Sequence, residues 1–110
     1  MGQERRIHSR VKTRVPARVA RGGDSVEGVL ENVGEGGVFF ATEVLEVPLD
    51  DGSDVDVEFD ALQSGTPVHM KIPGTVLRSE RYFDGTAVVR AFAIRFHASI
   101  DVTTLSFDGS

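Results

Sequence analysis

Arg6 and Arg10 stand four residues apart in Arg6-Ile7-His8-Ser9-Arg10, with a further arginine, Arg5, directly ahead of them. If this segment folds back as a loop or helical turn, guanidinium groups at that spacing face the same way. Each is a planar fork that binds phosphate bidentately and also matches O6 and N7 of guanine. Further along, Asn32-Val33-Gly34-Glu35-Gly36-Gly37 forms a glycine-rich turn. Its glycines read first as suppliers of positive φ for a turn or bulge. The turn offers a second use, because successive backbone N–H groups make a concave anion site and missing side chains let a ligand approach the backbone. Asn32 adds an amide that can donate to and accept from a base edge. Two arginines and an Asn/Gly turn together suit a ligand that carries both guanine and phosphate.

Other chemistry finds little support. His8, His69 and His97 are scattered, with no short spacing of the kind that holds a metal or builds an acid–base pair. The chain has no cysteine, which removes disulfides, thiol catalysis and thiolate metal sites. The carboxylates and glycine between Asp50 and Asp60 might suggest calcium, yet the acids alternate with apolar residues along a strand. A calcium loop needs oxygens that converge from a turn. The expectation is a binding protein with no catalytic residue, no metal and no cofactor.

Charge narrows the ligand. Residues 1–21 carry seven basic residues and one acid, 7 − 1 = +6, whereas residues 22–110 carry five basic and sixteen acidic residues, 5 − 16 = −11. A protein that tracks a nucleic-acid backbone is basic over a whole face. Here a duplex reaching past the arm meets a field of the wrong sign, so general nucleic-acid binding is not expected and a local anion site is. The longest apolar run, Val38 to Ala41, is far too short for a membrane span or signal-peptide core, and a cytoplasmic location is expected.

The elements that must position these residues are strands. Val55, Val57 and Phe59 alternate with Asp54, Asp56, Glu58 and Asp60, a period of two that marks a half-buried strand. Val15, Ala17 and Val19 alternate in the same way, with Pro16 pointing to a strand start or edge. Residues 26–33 and 36–42 read as strands joined by the glycine turn. Residues 68–80 read as a long strand bent or bulged at Pro73–Gly74, and residues 86–96 as a closing strand with Phe92, Ile94 and Phe96 on one face. With 110 residues and no amphipathic helix, this predicts one all-β domain, a six-stranded antiparallel barrel. Only residues 98–105 suit a short helical turn. The expected division is a flexible basic arm over residues 1–13 and a barrel over residues 14–110.

With both motifs placed in this order on six strands, the chain resembles the PilZ domain family. That family carries an RxxxR motif on an N-terminal segment and a [D/N]xSxxG motif at a turn between two barrel strands. Here Arg6-Ile7-His8-Ser9-Arg10 and Asn32-Val33-Gly34-Glu35-Gly36-Gly37 match, and Ala91-Phe92-Ala93-Ile94-Arg95-Phe96 resembles the family's closing strand. The resemblance runs from about Glu4 to Phe96. It implies a receptor for the bacterial second messenger cyclic di-GMP, held by Arg6 and Arg10 with Asn32, Gly34 and Gly37 on the opposite wall. An extra arginine at the position of Arg5 goes, in that family, with an intercalated ligand dimer.

The chain departs from the family pattern in three places. Gly34 stands where the family has Ser, which removes a hydroxyl donor worth roughly 1.5–3 kcal/mol to a charged ligand. Ala91 and Ala93 replace glycines, and the C-terminal helix is short, which is expected to leave a barrel edge or mouth bare for an effector protein or a second copy of the chain. Two functions follow from the resemblance: a stand-alone receptor that signals by ordering its arm on ligand binding, and an adaptor of the same fold that has lost the nucleotide and acts through protein contacts alone.

Overall fold

The computed structural model describes residues 10–44, 46–47 and 49–107. Among them the period-two stretches are strands: β1 (Arg10–Arg21), β2 (Asp24–Gly34), β3 (Gly37–Thr42), β4 (Asp54–Gln63), β5 (Thr66–Phe83), β6 (Val88–Phe96) and a short β7 (Leu105–Ser106). Neighbours pair antiparallel in the order β1-β2-β3-β6-β5-β4-β7, and β1 also pairs with β4. That last pairing, Ala17 to Ala20 against Phe59 to Asp56, closes β1 to β6 into a ring. Closure removes the free edges that an open sheet would present to other chains.

The alternation decides which side faces in. Val55, Val57 and Phe59 of β4 are buried, as are Val15, Ala17 and Val19 of β1, and the acids and arginines between them face out. The centre is filled by Phe40 and Phe92, both fully buried with ring centroids 6.3 Å apart, together with Leu30, Ile94, Val57 and Val76. Burying a side chain of this size contributes roughly 1.5–3 kcal/mol before conformational entropy is deducted. Pro16 sits inside β1 but immediately before Ala17, where the β4 ladder begins, so its missing N–H falls outside that ladder.

Three details differ from the sequence-based expectation. The strand β1 starts at Arg10, so Arg10 to Thr13 belong to the sheet; residues 1–9 of the expected arm, with Arg5 and Arg6, lie outside the described residues. The β5 irregularity falls between Val76 and Arg78, while Pro73 and Gly74 stay in register with Asp56 and Val55. Gly74 serves a different need, because a Cβ there would lie 2.7 Å from the Arg95 carbonyl oxygen. Finally, the mouth expected to be bare is covered. The expected helical turn is a single 3-10 turn at Val102–Thr104, and β7 behind it pairs with Leu62 and Gln63 of β4. Val102, Leu105 and Phe107 are buried, with the Phe107 ring 6.0 Å from that of Phe59. A short extended segment does the covering that a helix was expected to leave undone.

Candidate functional site

The last residue of the first motif meets the second motif through strand register. Arg10 of β1 stands opposite Gly34 of β2, and Lys12 stands opposite Asn32. The ladder then continues from Asn32 to Phe39 on β3, from Phe39 to Ala93 on β6, and from Ala93 to Arg78 on β5. One step nearer the turn, Gly37 stands opposite Arg95, and Arg95 opposite Thr75. Val33, Val38, Ile94 and Val76 between these rows are buried, so Asn32, Gly37, Phe39, Ala93, Arg95 and Arg78 occupy the outward positions. Of the expected site residues, the structure therefore brings Asn32, Gly34 and Gly37 to one end of the outer face, with the backbone of Arg10 beside them.

Three bulges surround this end. Register shifts fall between Lys12 and Val15 on β1, between Leu30 and Asn32 on β2, and between Val76 and Arg78 on β5. Bulges gather at functional rims because an extra residue re-aims the side chains around it. The first two turn Arg14 and Glu31 toward each other at 3.4 Å, and the Glu31 carboxylate also accepts from the Tyr82 hydroxyl at 3.4 Å. The third turns Leu77 out, where it remains 46% exposed.

The Glu35–Gly36 turn is tied from behind. Ile100 N–H donates to the Glu35 carbonyl at 2.9 Å, and Phe96 N–H donates to the Gly36 carbonyl at 2.8 Å. A trans peptide points its N–H opposite to its C=O. The amides of Gly36 and Gly37 therefore point away from the end of β6, toward the β2 side. Two successive amides aimed alike are the ingredient of an anion-binding concavity. The positive-φ reading of this turn fails at Gly36 and Gly37, since the described glycines with positive φ are Gly22, Gly52, Gly65 and Gly85. Gly37 is required by close approach instead: a Cβ there would lie 2.3 Å from the Ile94 carbonyl oxygen.

A groove of about 320 Å³ opens over this turn, lined by Gly34 to Val38, Leu77 and Ala93 to Arg95. That volume lies at the lower end of the range for small-molecule sites. The glycine backbone, the apolar residues Val38, Leu77, Ala93 and Ile94, and one arginine line it, with Glu35 as the opposing charge. A second groove, about 360 Å³, carries Glu27, Glu31, Glu43 and Asp84 against Arg14 alone. Its charge suits no anion, so the smaller groove is the candidate site.

Sequence reasoning missed Leu77 and Arg95. The alternation in Ala93-Ile94-Arg95-Phe96 already puts Arg95 on the outward side, but only the β3–β6 register sets it against Gly37. For Leu77, the Pro73–Gly74 pair drew the expected bulge away from its place.

The basic segment at the start of the chain divides in two. Arg14 pairs with Glu31, and Arg21 lies 3.8 Å from Asp50. Arg18 stands between Glu27 and Glu58 in register, and Glu58 in turn faces Lys71, so charge alternates across four strands. These arginines belong to the sheet surface and not to the site.

No curated protein matches the chain in sequence. Among solved structures, it is similar in fold to the Bacillus subtilis inhibitor of motility, MotI/DgrA, with a TM-score of 0.70 and 11% identity over 93% of this chain and 47% of that one. It thus spans about half the length of MotI. It is also similar to the PilZ domain of Escherichia coli YcgR, solved with cyclic di-GMP, with a TM-score of 0.63 and 15% identity over 86% of this chain and 79% of that one. The PilZ domain family model matches residues 4–106, a span that takes in both motifs and all seven strands, and the chain belongs to the PilZ domain family.

Proposed function

We propose that this PilZ domain is a receptor for cyclic di-GMP, held between Arg6 and Arg10 on one side and the Asn32–Gly37 turn on the other. The observation that supports this reading most directly is the β1–β2 register, which sets Arg10 opposite Gly34 although 24 positions separate them in the chain. The end of the first motif thus lies beside the second. The groove over the turn, lined by its backbone and by Arg95, supports the same reading, as does the fold likeness to a PilZ domain solved with this nucleotide. Arg5 then extends the site toward a stacked ligand pair. Binding draws Arg6 and Arg10 over the groove, and the arm takes up a fixed conformation that an effector protein reads.

Calorimetric titration with cyclic di-GMP tests this. Binding is expected in the wild type and is expected to vanish in Arg10→Ala. Gly34→Ser restores the hydroxyl and is expected to tighten binding by roughly tenfold or more, at about 1.4 kcal/mol per decade. Amide exchange over residues 4–14 is expected to slow with ligand, and unchanged exchange at saturation would refute the ordering step. Gly34 is also the one observation that favours the second reading, an adaptor acting through protein contacts alone. No heat with the wild type, and none with Gly34→Ser, would decide for it.

A further inference from the structure

We infer that Arg95 is a further anion-binding residue of this groove, holding a phosphodiester oxygen of the ligand from the wall opposite β1. The inference rests on the receptor reading above for the identity of the ligand, but on different residues for its support. Of the described residues that line the groove, Arg95 is the one cation. It stands directly across the ladder from Gly37, whose amide belongs to the concavity, and its neighbours Ile94 and Phe96 are buried, so the strand holds it facing out.

The Arg95 guanidinium makes no hydrogen bond or ion pair with another described residue. The same holds for the side chains of Arg18, Lys71, Arg78 and Arg81, but Arg95 alone of these lines the groove, and its surroundings explain the lack of a partner there. The carboxylate in its own row is Asp54, reached through Thr75. Asp54 is already engaged: the Thr75 hydroxyl donates to it at 3.0 Å, and the His97 imidazole lies 2.8 Å from that hydroxyl and 3.5 Å from the carboxylate. Glu35, the acid that lines the groove, points no carboxylate oxygen within 4.0 Å of the guanidinium. By contrast, Arg14, Arg21 and Arg90 each have a partner, in Glu31, Asp50 and the face of the Phe92 ring. An unpaired fork beside aimed amides has its five donors available, and a phosphodiester presents two oxygens at the matching spacing. A guanidinium on one wall, with backbone amides beside it, fits a ligand that carries phosphate.

The test is titration of the whole chain with cyclic di-GMP by calorimetry, with the Arg95 side-chain Nε–H followed by NMR. Arg95→Ala is expected to weaken binding about tenfold or more, and Arg95→Gln, which keeps the length of the side chain, to weaken it similarly. Reading both keeps the test intact if one variant folds poorly. Arg78→Ala, an outward cation one row away, is expected to stay within about threefold, because a charge without contact is screened. Equal affinity in Arg95→Ala and wild type, or an equal loss in Arg78→Ala, would overturn the role of Arg95 and leave the receptor reading standing. Should the wild type bind no cyclic di-GMP, inorganic pyrophosphate is the second probe. A shift of the Arg95 Nε–H with pyrophosphate would uphold the anion site while the receptor reading falls. No shift with either probe would end both.

Discussion

Gly36 and Gly37 are adjacent, yet substituting alanine at each is expected to change stability in opposite directions. A Cβ at Gly36 meets nothing within 4 Å, and its φ is not positive, so the native backbone accepts alanine. There the change acts on the unfolded chain, which has fewer conformations to lose, and Gly36→Ala is expected to be neutral or to stabilise by about 0.4–1 kcal/mol. A Cβ at Gly37 would lie 2.3 Å from the Ile94 carbonyl oxygen, 3.2 Å from the Arg95 Cα and 3.3 Å from the Ile94 carbonyl carbon. All three are backbone atoms, so no side chain can swing aside. Strands β3 and β6 must part by about 0.7 Å merely to reach 3.0 Å, a separation that real Cβ atoms essentially never go below.

That movement is resisted on both sides. Behind the turn, Phe96 N–H and Ile100 N–H hold the Gly36 and Glu35 carbonyls at 2.8 and 2.9 Å. Beneath it, Val38 and Ile94 are packed into the core. Overpacking of this kind costs about 1–3 kcal/mol. At about 4 °C per kcal/mol for a domain of this size, Gly37→Ala should melt roughly 4–12 °C below the wild type. Urea denaturation of the three proteins, with a common slope, measures the difference. Equal midpoints, or a larger loss in Gly36→Ala than in Gly37→Ala, would refute the reasoning that close strand approach dictates glycine at position 37.

Two further outcomes follow from charge. Glu35 lines the anion groove, so Glu35→Gln is expected to tighten cyclic di-GMP binding a few-fold at low salt, by an amount that shrinks as salt is raised; an unchanged affinity would place the phosphates away from the turn. His69 lies on the outer surface with Nδ1 2.8 Å from Asp60 and Nε2 3.3 Å from Glu58, and the hydrogen bond to Asp60, followed by that to Glu58, raises its pKa above the ordinary 6.5. Because the folded-state pKa is the higher one, the stabilisation from protonated His69 is present below about pH 6.5 and is lost as pH climbs through the folded value. Imidazole NMR should show His69 titrating above 6.5 and moving down in Asp60→Asn, and the stability gap to His69→Gln should narrow with rising pH.

The all-β ring was legible because one side of each strand is core. In β4, Val55, Val57 and Phe59 go in while the acids stay out, and no other arrangement buries that set. The β5 bulge was not legible, because proline and glycine mark a bend and a close approach equally well. Pro73 is exposed and paired with Asp56, and Gly74 makes room for the Arg95 carbonyl, so neither needs a bend. Residue 77 carries no such mark. The site divides along the same line. Spacing alone suggested that Asn32, Gly34 and Gly37 share a turn, because a turn is local. The placement of Arg95 across from Gly37 depends on how two strands more than fifty residues apart align, which no local pattern encodes.

The distribution of charge bears on what kind of anion the groove takes. The net charge is −5, and Arg18 of β1 is flanked by Glu27 and Glu58, so its charge is cancelled within a few ångströms while the acids of β4 stay in excess. Cancellation of this kind leaves attraction only where a cation lacks a partner, and along the groove that cation is Arg95. Such attraction is short-ranged: beyond about 8–10 Å at physiological salt it is screened, and the acids of β4 and the second groove then dominate. A long polyanion must cross those acids and is repelled along most of its length. A compact anion small enough to lie within the groove meets Arg95 and the backbone of the turn, with Glu35 as the one acid among the described lining residues. The acidic body is therefore consistent with an anion receptor and restricts it to ligands that fit the groove.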